Sequence, residues 1–298
     1  MDDEFKKRII ANQKLAFQKK ANKIKKNIFR SIYKEINNFF KKNYWNFLFN
    51  FYYYYKTLFN FNKNKILECK ISILIPTRNR SKKLDRFLKT LKKKTSKLSR
   101  LELLILFDFD ETEFEKYIQI LNDYKNDIKI KIFRNSFNTH AKRNNFLAKN
   151  SSGTIIFPAN DDIVIDTKDW DNLIDKEVAK FKKDEPFCLW PDSGNKYPFL
   201  HCHFPIINNI WYKKLGYVGS ELFNFWYLDT WICDLAKKSK KMIYVKKIKF
   251  KEFNAQANIE EFDETYLKNI SDNKMEKDMD IWNNSSNIRL KESKKLIN

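Results

Sequence analysis

Short apolar runs alternate with amphipathic stretches from residue 70 onward, and this alternation limits the fold more than any other feature. Residues 71–76 (ISILIP), 101–107 (LELLILF), 128–133 (IKIKIF) and 154–157 (TIIF) are rich in branched apolar side chains and end at turn residues. Runs of this length and composition predict strands. The nearly continuous apolar character of the first two is typical of strands covered on both faces.

Amphipathic helices are predicted between these runs. Leu84, Phe87, Leu88 and Leu91 have the spacing of one helix face, and residues 114–121 repeat the pattern. Alternation of strand and helix predicts an α/β fold with a mainly parallel central sheet and helices on both faces. Ligands bind such sheets at the carboxyl ends of the strands.

Polar side chains follow three of the four predicted strands. Residues 77–80 (TRNR) follow the first, Asp108 and Asp110 follow the second, and residues 160–162 (NDD) follow the fourth. Turn chemistry alone would explain one such cluster, whereas three on one predicted edge indicate a site. The adjacent carboxylates at 161 and 162 repel each other, so the pair favours a bound cation.

Four segments carry a family resemblance in a fixed order: ISILIPTRNRSKKLDRFLKTL, LELLILFDFDET, HAKRNNFLAKNSSGTIIFPANDD and LGYVGSELFNFWYLDTWICDLA. They resemble the family 2 type glycosyltransferases with a GT-A fold, which open with an apolar strand, Pro-Thr-x-Asn-Arg and a leucine-rich helix. The likeness covers residues 70–250. It implies a nucleotide-sugar-binding GT-A domain flanked by helical N- and C-terminal extensions.

The resemblance implies a pocket for the nucleotide of a nucleotide-sugar donor. The residues assigned to it are Pro76, Thr77, Arg78, Asn79, Arg80, Asp108, Asp110, Arg143, Asn144 and Asp161. Family members use a carboxylate after the second strand to accept hydrogen bonds from the base. FDFDET lacks the usual Asp-Asp-Gly-Ser turn, so Asp108 and Asp110 both stay candidates for that contact. His140 is a further candidate for contact with phosphate.

Asp161 and Asp162 match the family's Asp-x-Asp-like metal motif. The resemblance implies a divalent cation, Mn²⁺ or Mg²⁺, that bridges the donor diphosphate. Hard cations prefer carboxylate oxygens and offset the charge that develops on a diphosphate leaving group. Asn160 stands where a stricter motif has an acid, so the metal prediction rests mainly on Asp162, and a weak or inactive enzyme is an alternative.

Asp229, in the segment FWYLDTWICDLA, is the predicted catalytic base. The resemblance places the base after a Gly-rich turn, and a carboxylate there would accept the proton of the attacking acceptor hydroxyl. A single displacement of this kind inverts the anomeric configuration. Trp226, Tyr227 and Trp231 are candidates for packing on sugar rings. The alternative is that Asp229 is a helix N-cap.

Residues 1–66 are predicted to be a basic, aromatic helical extension. Residues 1–65 hold 16 Lys and Arg against 4 Asp and Glu, in a chain of net charge +22. Such an arm suits anionic lipid or nucleic acid, and the aromatic residues 44–61 favour the headgroup region of a membrane. Peripheral contact with an anionic membrane is therefore one hypothesis, which loss of vesicle co-sedimentation after deletion of the arm would test. The other is an aromatic helix packed on the main domain.

The remaining chain is predicted to divide into a GT-A domain (67–250) and a helical C-terminal extension (251–298). The first residues lack the apolar segment of a signal peptide, and the chain has no uncharged apolar stretch of about 20 residues. Four cysteines without a C-x-x-C pair favour reduced thiols. These features predict a cytoplasmic protein, peripheral at the inner membrane face if the arm binds lipid.

Two functional classes compete at this point. The first is a glycosyltransferase that moves a sugar from a nucleotide sugar to a glycan or lipid-linked acceptor. The second is a nucleic-acid- or membrane-binding protein whose second domain is inactive or nucleotidyltransferase-like. Carboxylates on the predicted edge disfavour a nucleic-acid groove, and residues 76–83 lack the glycines of a nucleotidyltransferase phosphate loop. The sequence therefore favours the transferase, with no specific nucleic-acid partner expected.

Overall fold

The computed structural model describes residues 68–194, 202–252 and 273–297, so the predicted arm and residues 253–272 lie outside the described residues. The strands are β1 (Ile71–Pro76), β2 (Leu101–Phe107), β3 (Lys129–Arg134), β4 (Ile155–Pro158), β5 (Ile163–Ile165), β6 (Cys188–Asp192), β7 (Ile206–Asn208) and β8 (Met242–Glu252). The helices are α1 (Ser81–Lys94), α2 (Phe114–Asn122), α3 (His140–Lys149), α4 (Trp170–Val178), α5 (Asn209–Leu215), α6 (Leu228–Lys238), α7 (Lys274–Asn284) and α8 (Ser286–Lys295).

These strands form one mixed sheet in the order β3-β2-β1-β4-β7-β6-β8-β5. β1 pairs in parallel with β2 on one side and β4 on the other, and β2 pairs in parallel with β3. The chain therefore runs outward from β1 to β3 and then returns to the opposite side of β1. The strand order reverses between β1 and β4, and such a reversal opens a crevice at the carboxyl ends of the two strands.

The predicted strands agree closely with the observed ones in this half of the sheet. β1 and β2 have the predicted bounds, and β3 and β4 are displaced by one residue. The parallel arrangement holds for these four strands and for β6 with β8. β7 lies antiparallel to β4 and β6, and β5 lies antiparallel to β8, which the sequence pattern did not predict.

Two apolar layers cover the two faces of the sheet, as the alternation of strand and helix predicts. Along β1, Ile71, Ile73 and Ile75 face one layer, which includes the buried faces of α1, α2 and α4. Leu74 faces the other layer, to which α3, α5 and α6 contribute. Successive residues of a strand point to opposite faces, so one apolar run serves both layers.

The C-terminal helices α7 and α8 pack against the second layer. Arg289 of α8 donates from Nε to Asp234 of α6 at 2.7 Å, and its guanidinium lies 3.7 Å from the centre of the Trp282 ring. Tyr217 donates its hydroxyl proton to Glu292 at 2.9 Å. Within the described ranges, no helix combines the length and the apolar character needed to cross a bilayer.

Candidate active site

The carboxyl ends of β1, β2 and β4 bring together most of the predicted site residues. Thr77, after β1, donates from Oγ1 to Asp161, after β4, at 2.6 Å. Arg78 donates from Nη1 to Asp108, after β2, at 2.9 Å. Three segments that are distant in sequence therefore meet at the point where the strand order reverses.

Asp108 is held by two arginines. The residue is 1% exposed. The Arg78 guanidinium contacts its Oδ2, and Nη2 of Arg143 lies 2.8 Å from Oδ1 and 2.9 Å from Oδ2. Arg78 also bonds Asp110 at 2.8 Å, but the Asp110 side chain is 66% exposed. A buried carboxylate needs such partners, whereas an exposed pair contributes little, so Asp108 is the anchor of this group.

Asp161 is neutralised within the protein. It is 1% exposed, accepts the Thr77 hydroxyl proton, and accepts a hydrogen bond from Nη1 of Arg80 at 3.3 Å. The Tyr117 hydroxyl lies 3.0 Å from Thr77 Oγ1 and accepts the Arg80 backbone N–H at 2.7 Å. Burial raises the pKa of Tyr117, so the phenol stays neutral. The compensating charge comes from a residue 81 positions away, which inspection of FPANDD alone does not reveal.

Asp162 is 7% exposed and leads directly into β5. Across residues 68–194, 202–252 and 273–297, no group of three or more His, Cys, Asp or Glu side chains is arranged to hold a metal ion by itself. Mg²⁺ sites usually have only one or two carboxylates, and water and substrate phosphates complete the coordination. The Asp161–Asp162 pair therefore fits a hard cation shared with a diphosphate.

Helix α3 positions Arg143. Thr139 caps the helix by accepting the Lys142 N–H at 3.2 Å. Arg143 lies in the first turn and also donates from Nη2 to the Phe137 carbonyl at 3.1 Å, which orients its guanidinium. Asn144 is fully buried and donates its side-chain amide to the His140 carbonyl at 3.1 Å, so it bonds within its own helix rather than at the strand ends.

Asp229 lies on the same side of the domain as the N-terminus of α3. It is the second residue of α6, whose N-cap is Tyr227, so the interpretation of Asp229 as the cap residue is wrong. Its Oδ1 accepts the Thr230 N–H at 2.6 Å. Burial lowers the pKa of His140 to about 4, the Arg143 charge adds to this effect, and the Asp229 carboxylate opposes both. Arg143 and Asp229 are therefore both close enough to His140 for their charges to act on it.

Comparison with known families finds a match over part of the chain. Residues 72–196 match the family described as glycosyl transferase family 2. No curated protein matches the chain.

Two solved structures are similar to this chain. The mannosyltransferase PcManGT from Pyrobaculum calidifontis, in complex with GDP-Man and Mn²⁺, is 11% identical with a TM-score of 0.52, over 62% of this chain and 57% of that one. S. aureus TarS 1–349 in complex with UDP is 18% identical with a TM-score of 0.48, over 61% and 60%. The chain therefore spans less than two thirds of either protein, and the likeness to the first establishes a shared fold.

The aromatic residues around Asp229 do not all have the predicted role. Trp231 is 1% exposed and belongs to the core of the domain, so its prediction as a sugar-packing residue is wrong. The Tyr227 ring stacks on the Phe223 ring and on the Trp282 ring, with 5.3 Å between centroids in each pair, and the Phe223 and Trp282 rings lie 6.5 Å apart. Phe225 and Trp226 are partly exposed, and the Phe225 ring lies 5.9 Å from the His140 ring.

The predicted pocket residue Asn79 lies in the turn after β1, and sequence reasoning missed only its contacts with the next loop. Asn79 has a left-handed φ of 51°, which is uncommon for a residue other than glycine. Its backbone N–H donates to Glu111 at 2.9 Å, and its side-chain oxygen accepts the Thr112 hydroxyl proton at 2.9 Å. Asn79 therefore joins the β1 turn to the β2–α2 loop. Pro76, the last residue of β1, pairs with Leu106 of β2 just before this turn.

Asn145 shapes the site and was missed by sequence reasoning. Its Oδ1 accepts the N–H groups of Val218 at 2.9 Å and Gly219 at 3.1 Å, and its Nδ2 donates to Glu221 at 3.0 Å. A Cβ on Gly219 would lie 1.9 Å from a Leu228 methyl carbon, so a side chain at position 219 would displace Leu228. These contacts fix α3 against the loop before α6. A polar residue on a helix gives no sequence signal for such a partner.

His140 gives the first prediction, which concerns stability. Because the folded-state pKa of about 4 lies below the ordinary value of 6.5, protonation favours the unfolded chain. We expect the free energy of unfolding to fall by about 1–3 kcal/mol from this residue as pH decreases from 6.5 to 4. Urea unfolding of wild type and His140→Gln over this range measures it. The free energy of unfolding of the variant should depend less on pH by this amount. An equal pH dependence in the variant and the wild type would contradict the prediction.

Proposed function

We propose that the protein transfers a sugar from a nucleotide-diphosphate sugar to a hydroxyl of a glycan or lipid-linked acceptor, with a divalent cation and with inversion. The observation that carries this proposal is the convergence of Asp108, Asp161 and Asp162 with Arg78, Arg80 and Arg143 where the strand order reverses. The carboxylates can accept hydrogen bonds from the base of a nucleotide, and the arginines that they hold in place can bind its diphosphate.

The nucleoside would bind beside Asp108. A carboxylate has about four acceptor positions, so the two arginines leave capacity for the N–H groups of a base. Pro76 ends β1 next to this position, Thr77 and Arg78 follow it, and the exposed Asp110 would act through Arg78. Arg80 and Arg143 are the cations best placed for the phosphates, since both already contact carboxylates of the site. Asn79 would support this pocket through its contacts with Glu111 and Thr112, whereas Asn144 would act only through helix α3.

Asp162, assisted by Asp161, would hold the divalent cation. When bound, Mn²⁺ or Mg²⁺ neutralises the charge that develops on the diphosphate leaving group. Both oxygens of Asp161 already accept hydrogen bonds, from Thr77 and Arg80. Asp162 is therefore the principal ligand in this proposal, and Asp161 has the supporting role.

Asp229 would act as general base toward the acceptor. The charges of Asp229, Arg143 and Arg80 all act on His140, which supports a position for Asp229 near the proposed phosphate-binding arginines. The low pKa of His140 keeps the imidazole neutral at neutral pH, so His140 offers no positive charge to the Asp229 carboxylate. Removal of the hydroxyl proton by Asp229 as the oxygen attacks the anomeric carbon is a single displacement, which inverts the configuration.

The test is a panel of UDP- and GDP-sugars, GDP-mannose included, assayed for binding and hydrolysis with and without Mn²⁺. We expect Mn²⁺ to bind weakly alone and about 10-fold to 100-fold more tightly with the matching nucleoside diphosphate, because the phosphates complete its coordination. The corresponding nucleoside, which lacks phosphate, is the control and should not strengthen Mn²⁺ binding. Absence of binding by every donor, with and without Mn²⁺, would overturn the proposal.

A further inference from the structure

Asp278 is a fully buried carboxylate on the C-terminal helix α7, far in sequence from every predicted site residue. It is 0% exposed. Its Oδ1 accepts the backbone N–H (2.7 Å) and side-chain amide (2.8 Å) of Asn224, and its Oδ2 accepts the N–H groups of Phe225 and Trp226, both at 2.9 Å. Four donors of one loop therefore converge on one charge, and hydrogen bonds to a charged group are stronger than neutral ones.

The same helix also packs on Tyr227, the next residue of that loop. Trp282, one turn after Asp278, stacks on the Tyr227 ring with 5.3 Å between centroids and 23° between planes. Tyr227 has a left-handed φ of 70°, which is costly for a residue with a side chain. Such a conformation persists where its surroundings determine it, and it occurs often at functional sites.

The loop that α7 holds is directly connected to the proposed base. Tyr227 is the N-cap of α6, and its carbonyl accepts the Trp231 N–H at 2.8 Å. Asp229 lies between these two residues. On the other side of Tyr227, the Phe225 ring packs against His140 of α3. The position of residues 224–227 therefore sets where the Asp229 carboxylate lies relative to α3.

We propose that Asp278 is a positioning residue for sugar transfer, which fixes residues 224–227 and thereby aligns Asp229 with the reacting hydroxyl. The inference rests on the proposed function, because it assigns Asp229 as the base. Asp278 lies under the loop rather than at the strand ends, so it is expected to act on the reaction step and not on donor binding. A displacement of about 1 Å in a reacting group is enough to slow a reaction by about 100-fold.

The test uses Asp278→Asn in the full chain, with Asp280→Asn as the matched control. The amide has the size of the carboxylate but directs an NH₂ group at donors, so it cannot accept all four bonds. Asp280 is exposed on the same helix and undergoes the same loss of charge. We expect Asp278→Asn to reduce kcat for Mn²⁺-dependent donor hydrolysis by about 10-fold to 100-fold, with nucleotide Kd changed by less than about 2-fold. Asp280→Asn should match wild type in both.

Hydrogen exchange gives a second readout that does not depend on activity. The N–H groups of residues 224–226 should exchange at least about tenfold faster in Asp278→Asn than in wild type. Asn224→Ala, which removes one of the four donors, should move kcat and exchange in the same direction by a smaller factor, and it serves if Asp278→Asn does not fold. Unchanged kcat, or equal losses of kcat and nucleotide binding, would overturn the inference. If wild type binds no nucleotide, the proposed function fails, and exchange still reports separately on the contact between α7 and the loop.

Discussion

Asp229→Asn is expected to reduce transfer and donor hydrolysis by about 10²–10⁴-fold, the usual contribution of a general base. Its amide cannot accept the proton of the attacking hydroxyl. The substitution keeps an oxygen that can accept the Thr230 N–H and Oγ1–H, which both bond Oδ1 in the wild type. The start of α6 should therefore be preserved, and the effect should appear in kcat.

Donor affinity separates this role from a structural one. The Kd for the nucleoside diphosphate with Mn²⁺, measured by calorimetry, should be the same for Asp229→Asn and wild type, since Asp229 is not assigned to the donor pocket. Asp123→Asn, an exposed residue that follows α2, controls for the loss of one carboxylate. Unchanged kcat in Asp229→Asn would refute the assignment of the base, whether or not the donor complex is weakened.

The sequence predicted the parallel half of the fold well because its signals are local. The apolar runs at 71–76 and 101–107 define β1 and β2, and the leucine spacing at 84–91 defines the buried face of α1. Strand ends and parallel order then place Thr77, Asp108 and Asp161 on one edge without further information. These predictions depended on the periodic spacing of apolar residues and on the order of the strands along the chain.

The antiparallel half could not be predicted, because it depends on long-range pairing. β7 has three residues, and Ile163 of β5 pairs with Glu252 of β8, 89 positions later. No periodicity marks segments this short. The pairing brings Glu252 beside the strand that follows Asp162, and the Glu252 carboxylate lies 2.9 Å from Nδ1 of His203.

The polar contacts of the site were predictable by type but not by partner. Arginines and aspartates at strand ends were identified as site residues, yet nothing in the sequence pairs Arg80 with Asp161 or Asp278 with residues 224–226. Such pairs depend on how loops close over the sheet. The division at residues 66 and 250 and the membrane role of the arm stay predictions.

Asp162→Asn is expected to reduce Mn²⁺-dependent donor binding and turnover by about 10²–10³-fold, comparable to the loss of one main electrostatic group of an active site. The amide has the size of the carboxylate but no charge to offer a hard cation. Nucleotide binding measured without Mn²⁺ should change little, because the proposed base and phosphate contacts come from other residues. The role of Asp162 is therefore tested by the difference between binding with Mn²⁺ and binding without Mn²⁺.

Two further variants distinguish metal binding from folding. Asp166→Asn makes the same change four residues later, where the carboxylate is 38% exposed and pairs with Lys251 at 2.9 Å, and it should retain full metal dependence. Asp161→Asn removes the charge that Thr77 and Arg80 contact and leaves the Arg80 guanidinium without that ion pair, so it should lower the thermal midpoint as well as donor binding. If Asp162→Asn kept the Mn²⁺ response of wild type while Asp161→Asn lost it, the principal ligand would be Asp161, with the Arg80 contact exchanged for the cation.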